Sequence, residues 1–141
     1  MQSITTATSI EMIAEMLMCL ALNVYYEARS EPIEGQYAVA HVVLNRVASP
    51  RFPDDACKVV KQGFHKGIGR CQFSWYCDGK SDIPREKTAW LSAQIVAHNV
   101  AYGYYKDSTN GAVYYHANYV RPYWSKHYTK TVTYGSHIFY K

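Results

Sequence analysis

The chain reads as a mainly helical α+β domain, in which a buried central helix and a small β-containing lobe form a cleft. Three observations predict this. Apolar residues recur at helical spacing in three stretches, around 9–29, 33–47 and 84–103. The segment between the second and third stretches loses that period and fills with Pro, Gly and aromatic residues. Two later segments, 112–124 and 134–141, carry short extended patterns.

The first helix opens with Thr8 followed by Glu11, the spacing of a capping box, so it should start at about Ser9 and leave polar residues 1–7 disordered. From Met16 to Leu22 it is apolar nearly all round, which marks it as the central buried helix. Ile13, Leu17, Leu20 and Val24 form a stripe at steps of three and four, and the next position on that stripe is Glu27. Pro32 disfavours helical angles at Glu31, so the helix should end near Arg29 or Ser30. Glu27 therefore points inward in a last helical turn. Desolvation and the negative end of the helix dipole both disfavour its anion, raising the pKa as a general acid requires.

Pro32 suits the first turn of a second helix, with Glu31 and Glu34 complementing its N-terminus. Ile33, Tyr37, Ala40, Leu44 and Val47 make its apolar face, and it should end before Pro50. A short helix fits 56–62. After it, Gln72 to Tyr76 alternates polar with aromatic and reads as a strand, closed by a turn at Asp78 and Gly79. The third long helix takes its start from Pro84 and Glu86 and its stop from Gly103, with Trp90, Ala93, Ala97, Val100 and Tyr104 facing inward. A polar stretch then separates 112–124 from a terminal strand.

The chain has 141 residues, which fit one domain, 1–141. A formal charge of +4 without a run of basic residues gives little support to a nucleic-acid groove. Such a groove would instead predict strongly salt-dependent binding. The 14 tyrosines point to a ring-rich cleft, suited to sugars or bases. Glu11 and Glu15 interrupt the apolar N-terminal run, and no basic region precedes it, which argues against a cleaved signal peptide and stable membrane insertion. On that reading the four cysteines begin reduced, and Cys19 is a small core residue.

Several separated segments carry a family resemblance. NVYYEARSEPIEGQYAVAHVVLNRV (23–47), FPDDACKVV, CQFSWYCDG, GAVYYHANYVRPYW and GSHIFYK resemble, in order, the SleB/CwlJ-type cell-wall hydrolases, which include spore-cortex-lytic enzymes and phage endolysin relatives. The resemblance implies a lysozyme-like fold and cleavage of peptidoglycan between N-acetylmuramic acid and N-acetylglucosamine. It places the catalytic acid on Glu27, where the apolar stripe had already placed an inward carboxyl.

Glu31 and Glu34 are rivals, explained equally well as helix-start charges, and a structural carboxylate paired with Arg29 or Arg46 is the alternative for Glu27 itself. Glu31 and Arg29 are expected to support Glu27 from behind. A two-carboxylate glycosidase needs a second acid about 5 to 9.5 Å away. Asp54, Asp55, Asp78 and Asp82 all sit in turn-like contexts that explain them otherwise, so a one-carboxylate lytic transglycosylase is favoured over a muramidase. Gln72 and Ser74 should share one strand face and hydrogen-bond the sugar. Tyr115, His116, Tyr119 and Trp124 should stack on or bond to it, with Tyr115 preferred to His116 because neighbours on a strand point opposite ways.

Cys57, His65, Cys71 and Cys77 raise a zinc site, but none of their spacings gives the close cysteine pair of structural zinc. The expectation is no metal and no cofactor, with a Cys71–Cys77 disulfide forming after release. The partner is bacterial peptidoglycan, not nucleic acid. The protein is expected to be a monomeric phage endolysin held in the host cytoplasm until a holin opens the way to the periplasm and wall. A non-catalytic glycan-binding or virion structural protein is the competitor from another class.

Overall fold

The computed structural model describes residues 2–141, with side chains from Ser9 onward. Among these residues are four α-helices, α1 (Gln2–Ala28), α2 (Ile33–Val47), α3 (Ala56–Val60) and α4 (Lys87–Ala101). Three strands follow, β1 (Tyr114–Ala117), β2 (Lys130–Tyr134) and β3 (His137–Tyr140). The protein is thus mainly helical with one small sheet, as expected.

The second helix lies deepest. Gly35, Ala38 and Ala40 keep its surface narrow, so α1, α3, α4 and β2 all pack against it. Ten of its residues are buried, including His41 and Arg46, so its contact surface is much wider than the single face expected. Ile33, assigned to that face, is exposed. Pro32 is the N-cap residue with extended angles and Glu34 lies in the first turn, which places the break between α1 and α2 where the sequence put it.

The first helix starts at Gln2, not Ser9, and runs through Thr8, so Thr8 is not its N-cap. The disordered 1–7 segment is therefore not found from Gln2 onward, and Met1 lies outside the described residues. Burial along α1 begins a turn later than expected: Ile13 and Met18 are exposed, whereas Cys19, Leu20, Ala21, Val24 and Tyr25 are buried against α2, α3 and α4. Ser9–Ala28 is long and apolar enough, by length and composition, to cross a membrane. In this fold its second half packs into the protein core.

Cys19 is the buried core residue expected, and it is in addition bonded to Cys57 at the start of α3. A second bridge joins Cys71 to Cys77, the pairing anticipated. Three of the four residues of the zinc alternative are therefore held in disulfides.

The expected strand at 72–76 does not form. Ser74–Cys77 is a 3₁₀ turn, because the Cys71–Cys77 bridge curls the segment and Trp75 must reach inward. The alternation nonetheless describes burial: Phe73, Trp75 and Cys77 are buried, Gln72 and Ser74 exposed. The sheet comes instead from the C-terminal part of the chain, in the order β1-β3-β2 with antiparallel pairing, and includes β2 in the stretch read as merely polar. Phe139 at its centre is fully buried against Ala28, Ala38, Val39, Val42 and Ala112. On α4 the inward residues are Ala93, Val96, Ala97 and Val100. Tyr104 is exposed, and Tyr105 takes the inward place by stacking on Tyr37 with ring centres 3.7 Å apart.

Candidate functional site around Glu27

Glu27 occupies the last turn of α1 and accepts a hydrogen bond at Oε1 from the hydroxyl of Tyr115 on β1. The stripe that aimed it inward is real from Leu20 onward, since Leu20 and Val24 have no exposed surface. The residue is half-buried as a whole, and desolvation is the strongest influence on its carboxyl. Burial raises the pKa, while the Tyr115 hydrogen bond and the positive charge of Arg46 oppose the rise without cancelling it. The Tyr115 phenol is itself pushed well above its ordinary value by burial and by the adjacent carboxylate, so it remains a hydrogen-bond donor.

Two walls flank this turn. On one side Trp75 donates from Nε1 to Asn23 Oδ1 at 2.8 Å, one helical turn before Glu27, and its ring stacks on Tyr26 with centres 4.8 Å apart. Those contacts fix the irregular lobe against α1 and leave Gln72 and Ser74 on its exposed side. On the other side stands β1, with Tyr115 paired opposite Phe139 and its ring 4.9 Å from that of His137.

The remaining aromatic candidates separate. His116 points away from Tyr115, as strand alternation requires; its Nδ1 donates to Ala117 O at 2.7 Å and its Nε2 bonds the Tyr140 hydroxyl at 2.8 Å. Trp124 packs against His116, Tyr114 and Tyr140 on that same far face. Tyr119 is 83% exposed in the loop after β1. Of the six residues expected to bind substrate, the structure brings Tyr115 into contact with Glu27 and puts Gln72 and Ser74 on the neighbouring lobe.

Both expected supporting residues bond to other partners. Arg29 pairs with Glu86 at 3.3 Å and lies over the Tyr25 ring. Glu31 accepts hydrogen bonds from Ser136 N at 2.8 Å and Ser136 Oγ at 2.7 Å, which latch the β2–β3 turn to the corner between α1 and α2. Partial burial would raise the Glu31 pKa, but these bonds and the nearby His137 outweigh it and hold the group below its ordinary value. Gly135 makes the latch possible: its φ is +55°, and a Cβ there would stand 2.5 Å from Glu31 Oε1.

Three other carboxylates have structural occupations, while the Asp82 carboxyl has its pKa raised by burial and by Asp78. Asp55 caps α3 through Lys58 N, Asp78 accepts from Lys80 N, and Asp107 accepts from Thr109, Gly111 and Asn45. The residue that sequence reasoning undervalued is Arg46, considered only as an ion-pair partner. It is 2% exposed, donates from Nε to Val113 O at 2.7 Å, and sits among Phe52, Phe73 and Tyr114. A groove of about 850 Å³ lies elsewhere, between the middle of α1 and the segment 53–65 around α3, lined by Met12, Met16, Ala56 and Phe64 among others.

Known proteins resemble this chain in sequence and in fold. Over 99 residues the chain is 36% identical to the spore cortex-lytic enzyme of Halalkalibacterium halodurans, a match covering 70% of this chain and 26% of the relative. It is 56% identical over 41 residues to the spore cortex-lytic enzyme of Bacillus subtilis, 29% of this chain and 13% of that one. The chain thus spans about a quarter or less of the curated relatives it matches. Among solved structures, the catalytic domain of the germination-specific lytic transglycosylase SleB from Bacillus anthracis superposes with a TM-score of 0.68 at 28% identity, over 89% of this chain and 93% of that one. The catalytic domain of the Bacillus cereus SleB protein gives 0.65 at 29%, over 90% and 91%. The shared architecture is the lysozyme-like fold. The Cell Wall Hydrolase family pattern matches residues 30–140, beginning three residues after Glu27, and the chain belongs to that family.

Proposed function

We propose that this chain degrades peptidoglycan by cleaving the glycan strand between N-acetylmuramic acid and N-acetylglucosamine, as a lytic transglycosylase with Glu27 as its one catalytic carboxyl group. The observation that carries this reading is the Tyr115-bonded carboxyl of Glu27, its pKa raised by burial, at the junction of α1, β1 and the irregular lobe, with Asp55, Asp78 and Glu31 held in a cap, a turn and a latch. The similarity to a SleB catalytic domain supports the same chemistry.

In this mechanism protonated Glu27 gives its proton to the glycosidic oxygen as the bond from C1 of the muramoyl residue breaks. The C6 hydroxyl of that residue attacks C1 in place of water, and the Glu27 carboxylate takes the hydroxyl proton. The products are a free N-acetylglucosamine 4-hydroxyl and a 1,6-anhydromuramoyl end, with Glu27 restored to its acid form. Tyr115 orients the carboxyl, and the exposed polar edge at Gln72 and Ser74 binds the sugar. The relatives named above are spore cortex-lytic enzymes and lend no support to the expected role in phage lysis with holin-dependent access.

Mass spectrometry of purified peptidoglycan digested by the protein tests the reaction. Anhydromuramoyl ends are expected, and Glu27→Gln should release none. Reducing muramic acid ends alone would make the enzyme a hydrolytic muramidase.

A further inference from the structure

We propose that Arg46 is the fixed counter-charge of Glu27, a buried guanidinium anchored to the same short segment that holds Glu27, which stabilises the carboxylate left after proton donation and so lets one residue serve as acid and then as base. The inference rests on the reading of Glu27 as the reacting group.

Arg46 is a costly residue to hold where it is. Removing a guanidinium from water carries a penalty of several kcal/mol, normally offset by a contacting carboxylate. Among the described residues the ion pair found is Arg29–Glu86, and no carboxylate oxygen lies within salt-bridge distance of Arg46. What holds Arg46 is one hydrogen bond to Val113 O and three aromatic rings, Phe52 at 4.9 Å, Phe73 at 5.2 Å and Tyr114 at 5.7 Å from the guanidinium carbon. Its Nη1 is buried without a hydrogen-bond partner. A packing role would be filled by Met or Leu at lower cost, so the charge itself needs an explanation.

The place of the charge supplies it. Val113, which fixes Arg46, lies two residues before Tyr115, which fixes Glu27, so one short segment ahead of and within β1 holds both groups. Glu27 and Arg46 influence each other electrostatically, each favouring the charged form of the other. Tyr115 on β1 contacts Glu27, and the positive charge that acts on its carboxyl comes from Arg46 on α2. His137 on β3 meets the Tyr115 ring, Glu31 is taken up by Ser136, and Arg29 by Glu86. Burial raises the Glu27 pKa and so disfavours the anion left after proton donation. Tyr115 supplies a hydrogen bond to the anion and Arg46 a charge, and the carboxyl can then cross between its forms near its working pH.

The test is a pair of carboxyl and guanidinium NMR titrations, with the wall-lytic pH profile recorded on the same proteins. In the wild type, the Arg46 Nε resonance should move with the same midpoint as the Glu27 carboxyl carbon and stay flat in Glu27→Gln. In Arg46→Met the Glu27 midpoint should rise by about one pH unit or more, the alkaline limb of lysis rising with it, and Arg46→Lys should return it towards the wild-type value. An Arg46 Nε signal that ignores the Glu27 titration in the wild type overturns the proposal, whether or not the Met variant folds. So does a folded Arg46→Met with an unmoved Glu27 midpoint. Persistent lysis by Glu27→Gln would instead overturn Glu27 as the reacting group, a result these NMR midpoints do not affect.

Discussion

The Tyr115 hydroxyl donates to Glu27 Oε1 and thereby joins the last turn of the first helix to the first strand, across 88 residues of sequence. This bond both aims the carboxyl and favours its anion. Tyr115→Phe should therefore raise the Glu27 pKa further and move the alkaline limb of lytic activity to higher pH. Hydrogen bonds to charged groups contribute about 1.5 to 3 kcal/mol, so a fall in kcat of about tenfold or more is expected, with little change in folding. A pH–rate profile on purified peptidoglycan checks it; an unchanged profile would show that Tyr115 does not act on Glu27.

Glu27 should also weaken the fold that holds it. Its pKa in the folded protein lies above the ordinary carboxyl value, so the folded state binds more protons than the unfolded state between the two values. Stability is full below about pH 4.5 on this account and declines as pH rises through the folded pKa. Glu27→Gln removes that slope. The variant should match the wild type in urea near pH 4, exceed it near pH 8, and lack lytic activity at both. A wild type that gains stability over that range relative to the variant would reverse the sign of the argument.

Much of this site was legible because local rules fixed it. The steps Leu20, Val24, Glu27 obey helical periodicity, Pro32 stops α1 through its own ring sterics, and Tyr115 and His116 point apart because strand residues alternate. Contacts made across sequence were not legible in this way. Nothing near Arg46 in the chain announces that its guanidinium will be buried and bonded to Val113, 67 positions later, because that contact depends on how α2 packs against the segment leading into β1. The Gln72–Tyr76 alternation matched burial but not conformation, since the Cys71–Cys77 bridge and the Trp75–Asn23 bond override the extended preference of its aromatics. β2 escaped because Lys130 and Thr133 leave its outer face polar, and only pairing with β3 makes it a strand.

The Glu31–Ser136 latch gives the fold an acid limit. The folded pKa of Glu31 is lowered, so its stabilisation is present above about pH 4.5 and is lost as pH falls through the lower folded value. His41 and His137 act earlier in the same direction: burial lowers both, so each destabilises the fold as pH drops below about 6.5. Ser136→Ala should cost about 1 kcal/mol at pH 7, given the solvent access of Glu31, and the difference from wild type should disappear near pH 2. Urea midpoints at pH 7, 5 and 3 follow the loss, and a Ser136→Ala penalty that persists undiminished in acid would rule out the ionised latch.

The two disulfides should differ in what they contribute. Cys19–Cys57 closes 38 residues and ties the helix bearing Glu27 to α3, whereas Cys71–Cys77 closes only 6. Loop-closure entropy makes the first worth about 4 kcal/mol and the second about 2 kcal/mol. Cys19→Ala with Cys57→Ala should therefore lower the urea midpoint more than Cys71→Ala with Cys77→Ala. Activity should respond in the opposite order. The short bridge shapes the turn that carries Ser74 and Trp75 beside Glu27, while Cys19 lies two turns below Glu27 on a helix that Leu20, Val24 and Tyr25 already anchor. Loss of the short bridge should raise KM for the glycan with modest loss of stability, and loss of the long bridge should leave KM unchanged at 25 °C. Equal KM values in the two variants would mean that the lobe holds its shape without its crosslink, through the Trp75–Asn23 hydrogen bond and the Tyr26 stack alone.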